Sequence, residues 1–136
     1  MKQKMEITKA MLFMLAGKST FTLKNVKSGN HLTYSVSKKE NKNIWFVKSK
    51  FGYDFKYIGY INSRGLFSIT RKSWNTDSIN TAVFLSFFRY IKCNRTPNGL
   101  ELWHEGRCGR CGRKLTDPAS IEAGFGPECI KLVQEK

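Results

Sequence analysis

Five short runs of alternating character, "TFTLKNVK", "HLTYSVSKK", "IWFVKSK", "FKYIGYI" and "LFSIT", fill the stretch from Ser19 to Thr70. The turn-forming segments "SGN", "ENKN", "FGYD" and "NSRG" separate them. Alternation sends successive side chains to opposite faces of an extended chain, and Gly, Asn and Asp at such even intervals reverse the chain before any run can lengthen. The pattern predicts a meander of about five antiparallel strands. In the second run Leu32, Tyr34 and Val36 share one face and His31, Thr33 and Ser35 the other, so one side of the sheet is expected dry and the other wet.

Helical periodicity flanks the meander. From about Lys4 to Ala16, the residues Ile7, Met11, Leu12 and Leu15 recur on one face, with Gly17 placed to end the helix. After the polar "RKSWNTD", Ile79, Val83, Phe87 and Ile91 form a second stripe, widened by Phe84 and Phe88, for which Asp77 is the expected N-cap. So aromatic a helix should lie across the sheet. The expected class is therefore α+β: an antiparallel sheet of about five strands packed by one or two helices, plus a small C-terminal module of zinc-ribbon or treble-clef type. "NRTPNG" breaks the chain and "LELWHEG" reads as a short strand or extended lead. The expected division is a basic, strand-rich domain over 1–98 and a zinc-binding module over 99–136. Trp45, Phe55 and Tyr57 are expected in the core.

Charge is unevenly distributed. Residues 1–92 carry seventeen Lys and Arg against four Asp and Glu, whereas residues 93–136 carry seven against six. Such a field gathers anions, and nucleic acid or a phosphorylated nucleotide is the simplest partner; the bland reading is a solvated lysine-rich surface. Lys38, Lys39, Lys42, Lys48, Lys50 and Lys56 are the expected phosphate contacts, interleaved with Trp45, Phe51, Tyr53, Tyr57 and Tyr60, whose rings suit bases. The longest apolar run, "AMLFMLAG", is far short of the roughly twenty residues a bilayer crossing needs. A signal peptide is disfavoured because that run is short and Glu6 precedes it.

The segment "HEGRCGRCGRKLTDPASIEAGFGPEC" concentrates three of the four cysteines. Cys108 and Cys111, two residues apart, can turn both sulfurs toward one metal, and Cys129 follows in "GFGPEC", where Pro127 can open a helix whose N-terminus favours a thiolate. A structural zinc wants a fourth ligand. Closeness in sequence and imidazole chemistry favour His104; Cys93, His31, an acidic group or water are the alternatives. "TDPASIEAG" reads as a short helix capped by Asp117, begun by Pro118 and ended by Gly124. A disulfide is disfavoured without a secretory signal, a thioredoxin-type centre lacks its βαβ flanks, and a zinc deaminase lacks its histidine and proline spacings. Arg107, Arg110, Arg113 and Lys114 either grip phosphate or offset the thiolate charge.

These residues closely resemble the C-terminal zinc-finger-like module of an uncharacterised group of phage and prophage proteins. Its marks are a histidine before G-R-C-x-x-C-G-R, then L-T-x-P-x-S-I, then G-x-G-P-x-C. Ala119 departs from it, where the family often has Glu. The resemblance implies zinc as cofactor, His104, Cys108, Cys111 and Cys129 as the ligand set, and phage origin, but it brings no activity. With the charge, the expectation is a non-enzymatic accessory protein of the bacterial host cytoplasm that binds nucleic acid. The alternative is a counter-defence protein that blocks a host effector protein or sequesters a signalling nucleotide. A nuclease is disfavoured because Glu6, Glu40, Asp54 and Asp77 are too few and too scattered for a magnesium site.

Overall fold

The computed structural model describes residues 2–95 and 97–134; Thr96, inside the expected chain break, lies outside them. The chain runs through strands β1 (Gln3–Met5), β2 (Lys18–Asn25), β3 (His31–Lys38), β4 (Trp45–Phe51), β5 (Asp54–Ile61), β6 (Phe67–Ser68) and β7 (Leu100–His104). Its α-helices are α1 (Ala10–Met14), α2 (Ile79–Lys92), α3 (Pro118–Ala123) and α4 (Pro127–Gln134). The fold is α+β. The five expected meander strands are β2 to β6, and among the described residues the antiparallel sheet has seven strands because β1 and β7 extend it, in the order β1-β7-β2-β3-β4-β5-β6.

This order corrects two expectations. The sequence division at 98/99 cuts through the sheet. β7 is hydrogen-bonded between β1 and β2, and buried residues from Met5 to Val133 form one continuous core. The N-terminal helix is also shorter than its periodicity predicts. Gln3–Met5 pairs with β7, Ile7–Lys9 is a single 3-10 turn, and only Ala10–Met14 is α-helical. An open strand edge offered by β7 satisfies the backbone of residues 3–5, which a helix of this length would stabilise only weakly. Its buried residues are Ala10, Phe13 and Met14, while Leu12 is exposed.

One face of the sheet is dry. Phe21, Tyr34, Val36, Val47, Ile58 and Ile61 are fully buried there. α2 lies on them as expected, with Phe84 5.3 Å from Tyr34 and Phe87 6.2 Å from Phe21 between ring centroids. Its buried stripe holds Phe84, Phe87, Phe88 and Ile91, but Ile79 is exposed, and the N-cap is Ser78, which accepts from the Thr81 N–H, in place of Asp77. The opposite face carries Thr20, Thr33, Ser35, Ser37, Phe46, Lys48, Lys50, Phe55, Tyr57 and Tyr60, half-buried or exposed.

A β-bulge decides part of that list. Val47 pairs with Gly59 and Lys48 with Tyr57, so Ile58 is an extra residue. Tyr57 and Tyr60, three apart, would face opposite ways in a regular strand; the inserted residue puts them on the same open face. This corrects the core assignment of Tyr57. Phe55 is 40% exposed, and Trp45 is half-buried with its indole N–H donated to the Leu15 carbonyl at 2.9 Å.

The buried Tyr34 hydroxyl donates to the Asn80 carbonyl at 2.7 Å, and burial raises its ionisation well above the ordinary tyrosine value of about 10. A group whose folded pKa is raised stabilises fully below the unfolded pKa and loses that contribution as pH climbs past it. Tyr34→Phe should cost about 1 kcal/mol at neutral pH, with the gap to wild type closing above about pH 10. Urea unfolding of both proteins across that range checks this; a pH-independent gap would exclude Tyr34 as a source of alkaline instability.

Candidate metal centre

The centre is assembled from a turn and a helix. Gly106 and Arg107 lead into a tight reversal closed by Cys108 N–H to the Arg113 carbonyl, Gly112 N–H to the Cys108 carbonyl (both 2.9 Å) and the Arg107–Lys114 bridge. Gly112, at φ +78°, takes the left-handed conformation that lets the chain turn back behind Cys111. α3 is built as its sequence predicts: Asp117 caps it by accepting from the Ser120 N–H, Pro118 begins it, and Gly124 ends it in the left-handed region. Pro127 then opens α4, which places Cys129 in its first turn.

The sulfurs of Cys108, Cys111 and Cys129 all lie within 4.8 Å of one another, the one such group of metal-capable side chains among the described residues. Burial alone would raise the Cys108 thiol, but backbone amides of Gly126, Cys111 and Arg110 donate to it and hold it below the ordinary thiol value. Burial pushes the Cys129 thiol up, while the Arg110 guanidinium, 3.6 Å from its sulfur, opposes that shift. Three thiols this close, one of them with its pKa held down by backbone amides, are chemically suited to a soft or borderline metal ion.

Residues 104–134 match the family model of DUF6011, a family of unknown function. The match covers less than half of the chain. No curated protein and no solved structure matches it. The DUF6011 segment thus begins at the last residue of β7 and runs to the end of α4.

His104 opens that segment but does not join the three thiols. It sits in β7 opposite Phe21 and Gln3, fully buried. Its Nδ1 accepts from the Gly106 N–H at 2.9 Å, its Nε2 faces the Ile121 carbonyl, and Phe13 stacks on it with centroids 5.9 Å apart. Burial lowers its pKa, and one acceptor and one donor nitrogen describe a neutral ring. In this arrangement it ties β7 to α3. β7 ends at His104, and both of its ring nitrogens are taken by backbone partners, so its nearness in sequence to Cys108 does not bring it to the thiols. Cys93 is exposed at the C-terminal end of α2 and outside the group.

The DUF6011 segment is locked to the rest of the chain. Lys18 N–H donates to the Gly109 carbonyl at 2.9 Å. Phe13, 1% exposed, packs 5.7 Å from Phe125, and a Cβ added at Gly109 would come within 2.7 Å of its ring. A Cβ at Gly124 would come within 3.0 Å of the same ring, so both glycines are needed for one close approach to Phe13.

The predicted cationic residues are dispersed. Lys48 and Lys50 are exposed on the open face of β4, Lys42 is in the β3–β4 turn, Lys38 lies over the Trp45 ring at 5.9 Å, and Lys56 lies over Trp74 at 5.0 Å. Arg113 and Lys114 line the cleft beside the thiols, and the Arg107 guanidinium donates to the Gly112 carbonyl. Only Lys39 of this set lines the large groove of about 740 Å³ on the open face, together with Ile44, Phe46, Tyr57, Tyr60, Thr70, Arg71 and Lys72. Arg71, Lys72 and Phe46 were not singled out from sequence. The adjacent pair in "RKSW" was the available signal.

Proposed function

We propose that this is a non-enzymatic, zinc-stabilised accessory protein of phage type that binds nucleic acid through the open face of its sheet. The observation that carries the reading is that groove: three aromatic rings with three cationic side chains and, among the described residues, no acidic one in its lining. Cations meet phosphate and flat rings meet bases, and the surplus of positive charge over residues 1–92 draws the polyanion in.

Zinc is the metal that three thiolates and a tetrahedral preference favour. A knuckle followed by a ligand in the first turn of a helix supports a treble-clef-like layout over a ribbon, whose second half would be another knuckle. With His104 engaged by backbone, the fourth position falls to water or to Asp117 or Glu128, which line the same cleft. A role in support of the fold is favoured because, among the described residues, the centre has no free histidine beside it to carry a proton, and because the turn and helix that carry the thiols share the core of the sheet.

Binding of fluorescent oligonucleotides should fall steeply with salt, by about a thousand-fold between roughly 50 and 200 mM if about six phosphates are contacted. Absence of binding to both single- and double-stranded nucleic acid at low salt would end the reading. The groove's volume also falls within the range of small-molecule sites, which favours nucleotide sequestration as a second reading. A nucleotide carried through purification and seen by mass spectrometry would select it.

A further inference from the structure

We infer that the groove between β5 and the turn at residues 70–73 is a base-stacking site for single-stranded nucleic acid, with Arg71 and Lys72 as its phosphate clamp. This rests on the nucleic-acid reading above and narrows it to one substrate class and one place.

The floor is built by the bulge in β4–β5. Phe46 pairs with Tyr60, Lys48 with Tyr57, and the Phe46 and Tyr57 rings meet edge to face at 6.2 Å. The rings are half-buried, so their orientation is held while part of each face is open to the groove. A preset aromatic plate takes a base at little cost in side-chain entropy.

The turn that carries the cations is braced as well. In the turn, the Ser73 N–H donates to the Thr70 carbonyl at 3.0 Å, the Thr70 N–H to Ser73 Oγ at 2.9 Å and the Lys72 N–H to Thr70 Oγ1 at 3.3 Å. Trp74 then fastens the turn to β5: its backbone N–H donates to the Tyr57 carbonyl at 2.7 Å, and its ring lies under the Lys56 ammonium at 5.0 Å. Tyr57 therefore supplies a ring to the floor and a carbonyl that anchors the wall. That linkage fixes the spacing between the aromatic floor and the turn that carries the two cations. Lys39 stands at the groove as a third cation.

A single strand fits this chemistry better than a duplex. In a duplex the base faces are occupied by their own neighbours, so only phosphates would reach the groove and the apolar floor would stay unused. A single strand offers both groups at once, and base–aromatic stacking does not depend on which base is presented.

The test titrates the full chain with a labelled oligo-dT and with a duplex of the same length at one salt concentration. The single strand should bind more tightly than the duplex. Tyr60→Leu, which keeps an apolar side chain but removes the plate, should weaken single-strand binding roughly ten- to a hundred-fold and leave duplex binding unchanged. Arg71→Ala with Lys72→Ala, in an exposed turn that does not threaten folding, should lower the salt slope by about 1.4. Equal affinity for both forms, or wild-type binding by both variants, would overturn the groove while the broader nucleic-acid reading survives. No binding of either form at low salt would overturn both.

Discussion

Cys108→Ser should abolish metal binding at the three-thiol group and cost several kcal/mol of stability. Cys108 is fully buried, receives backbone N–H bonds that favour its thiolate, and begins the turn from which Cys111 also points at the group. Serine is a poor ligand at neutral pH, and two remaining thiols cannot define a tetrahedral site. Structural zinc in small fingers contributes about 10 kcal/mol or more, as much as the whole stability of an ordinary domain. Because the segment here shares a core with the sheet, part of the fold survives, and several kcal/mol is the expected loss. Metal content by mass spectrometry should fall from one ion per chain to none, and a chelator should lower the melting temperature of the wild type but not of the variant. Cys93→Ser, exposed and outside the group, should change neither. His104→Asn should retain metal while losing stability; loss of metal in that variant with the fold intact would restore His104 as a ligand.

Phe13→Ala is expected to rank next. The ring touches His104 of β7, Phe125 after α3, and the backbone at Gly109 beside the first two cysteines. Truncating a buried phenylalanine costs about 3–5 kcal/mol, here a fall of roughly 10 °C or more in melting temperature. Metal affinity should drop with it, since the turn carrying Cys108 would lose its support. Calorimetry together with a metal-indicator titration reads both. A loss under about 1 kcal/mol with unchanged metal affinity would show that the cysteine segment folds independently of the sheet.

Much of this was legible beforehand because it is local. The meander strands, the dry face of Tyr34 and Val36, the α2 stripe, the Asp117 cap and Gly124 stop of α3, and the opening of α4 at Pro127 are all dictated by neighbours within a few residues. The cysteine trio was legible for the same reason: C-x-x-C closes on itself, and a helix start supplies the third sulfur. The first helix was legible only in its existence; its extent and buried face were not, because β7 pairs with residues 3–5 and Phe13 is selected by rings that lie ninety and more residues away in sequence.

By itself the sequence determined the alternation that makes an antiparallel sheet, the positive charge that precedes the cysteines, and three thiols spaced to meet. Only the tertiary structure decided the rest. β7 enters the sheet between β1 and β2, which merges two expected domains into one core and turns His104 inward to backbone partners. One inserted residue, Ile58, brings Tyr57 and Tyr60 to the same face and so makes the groove. Strand order and register depend on which edges and faces meet across long stretches of chain, and no periodicity within a single run contains that information.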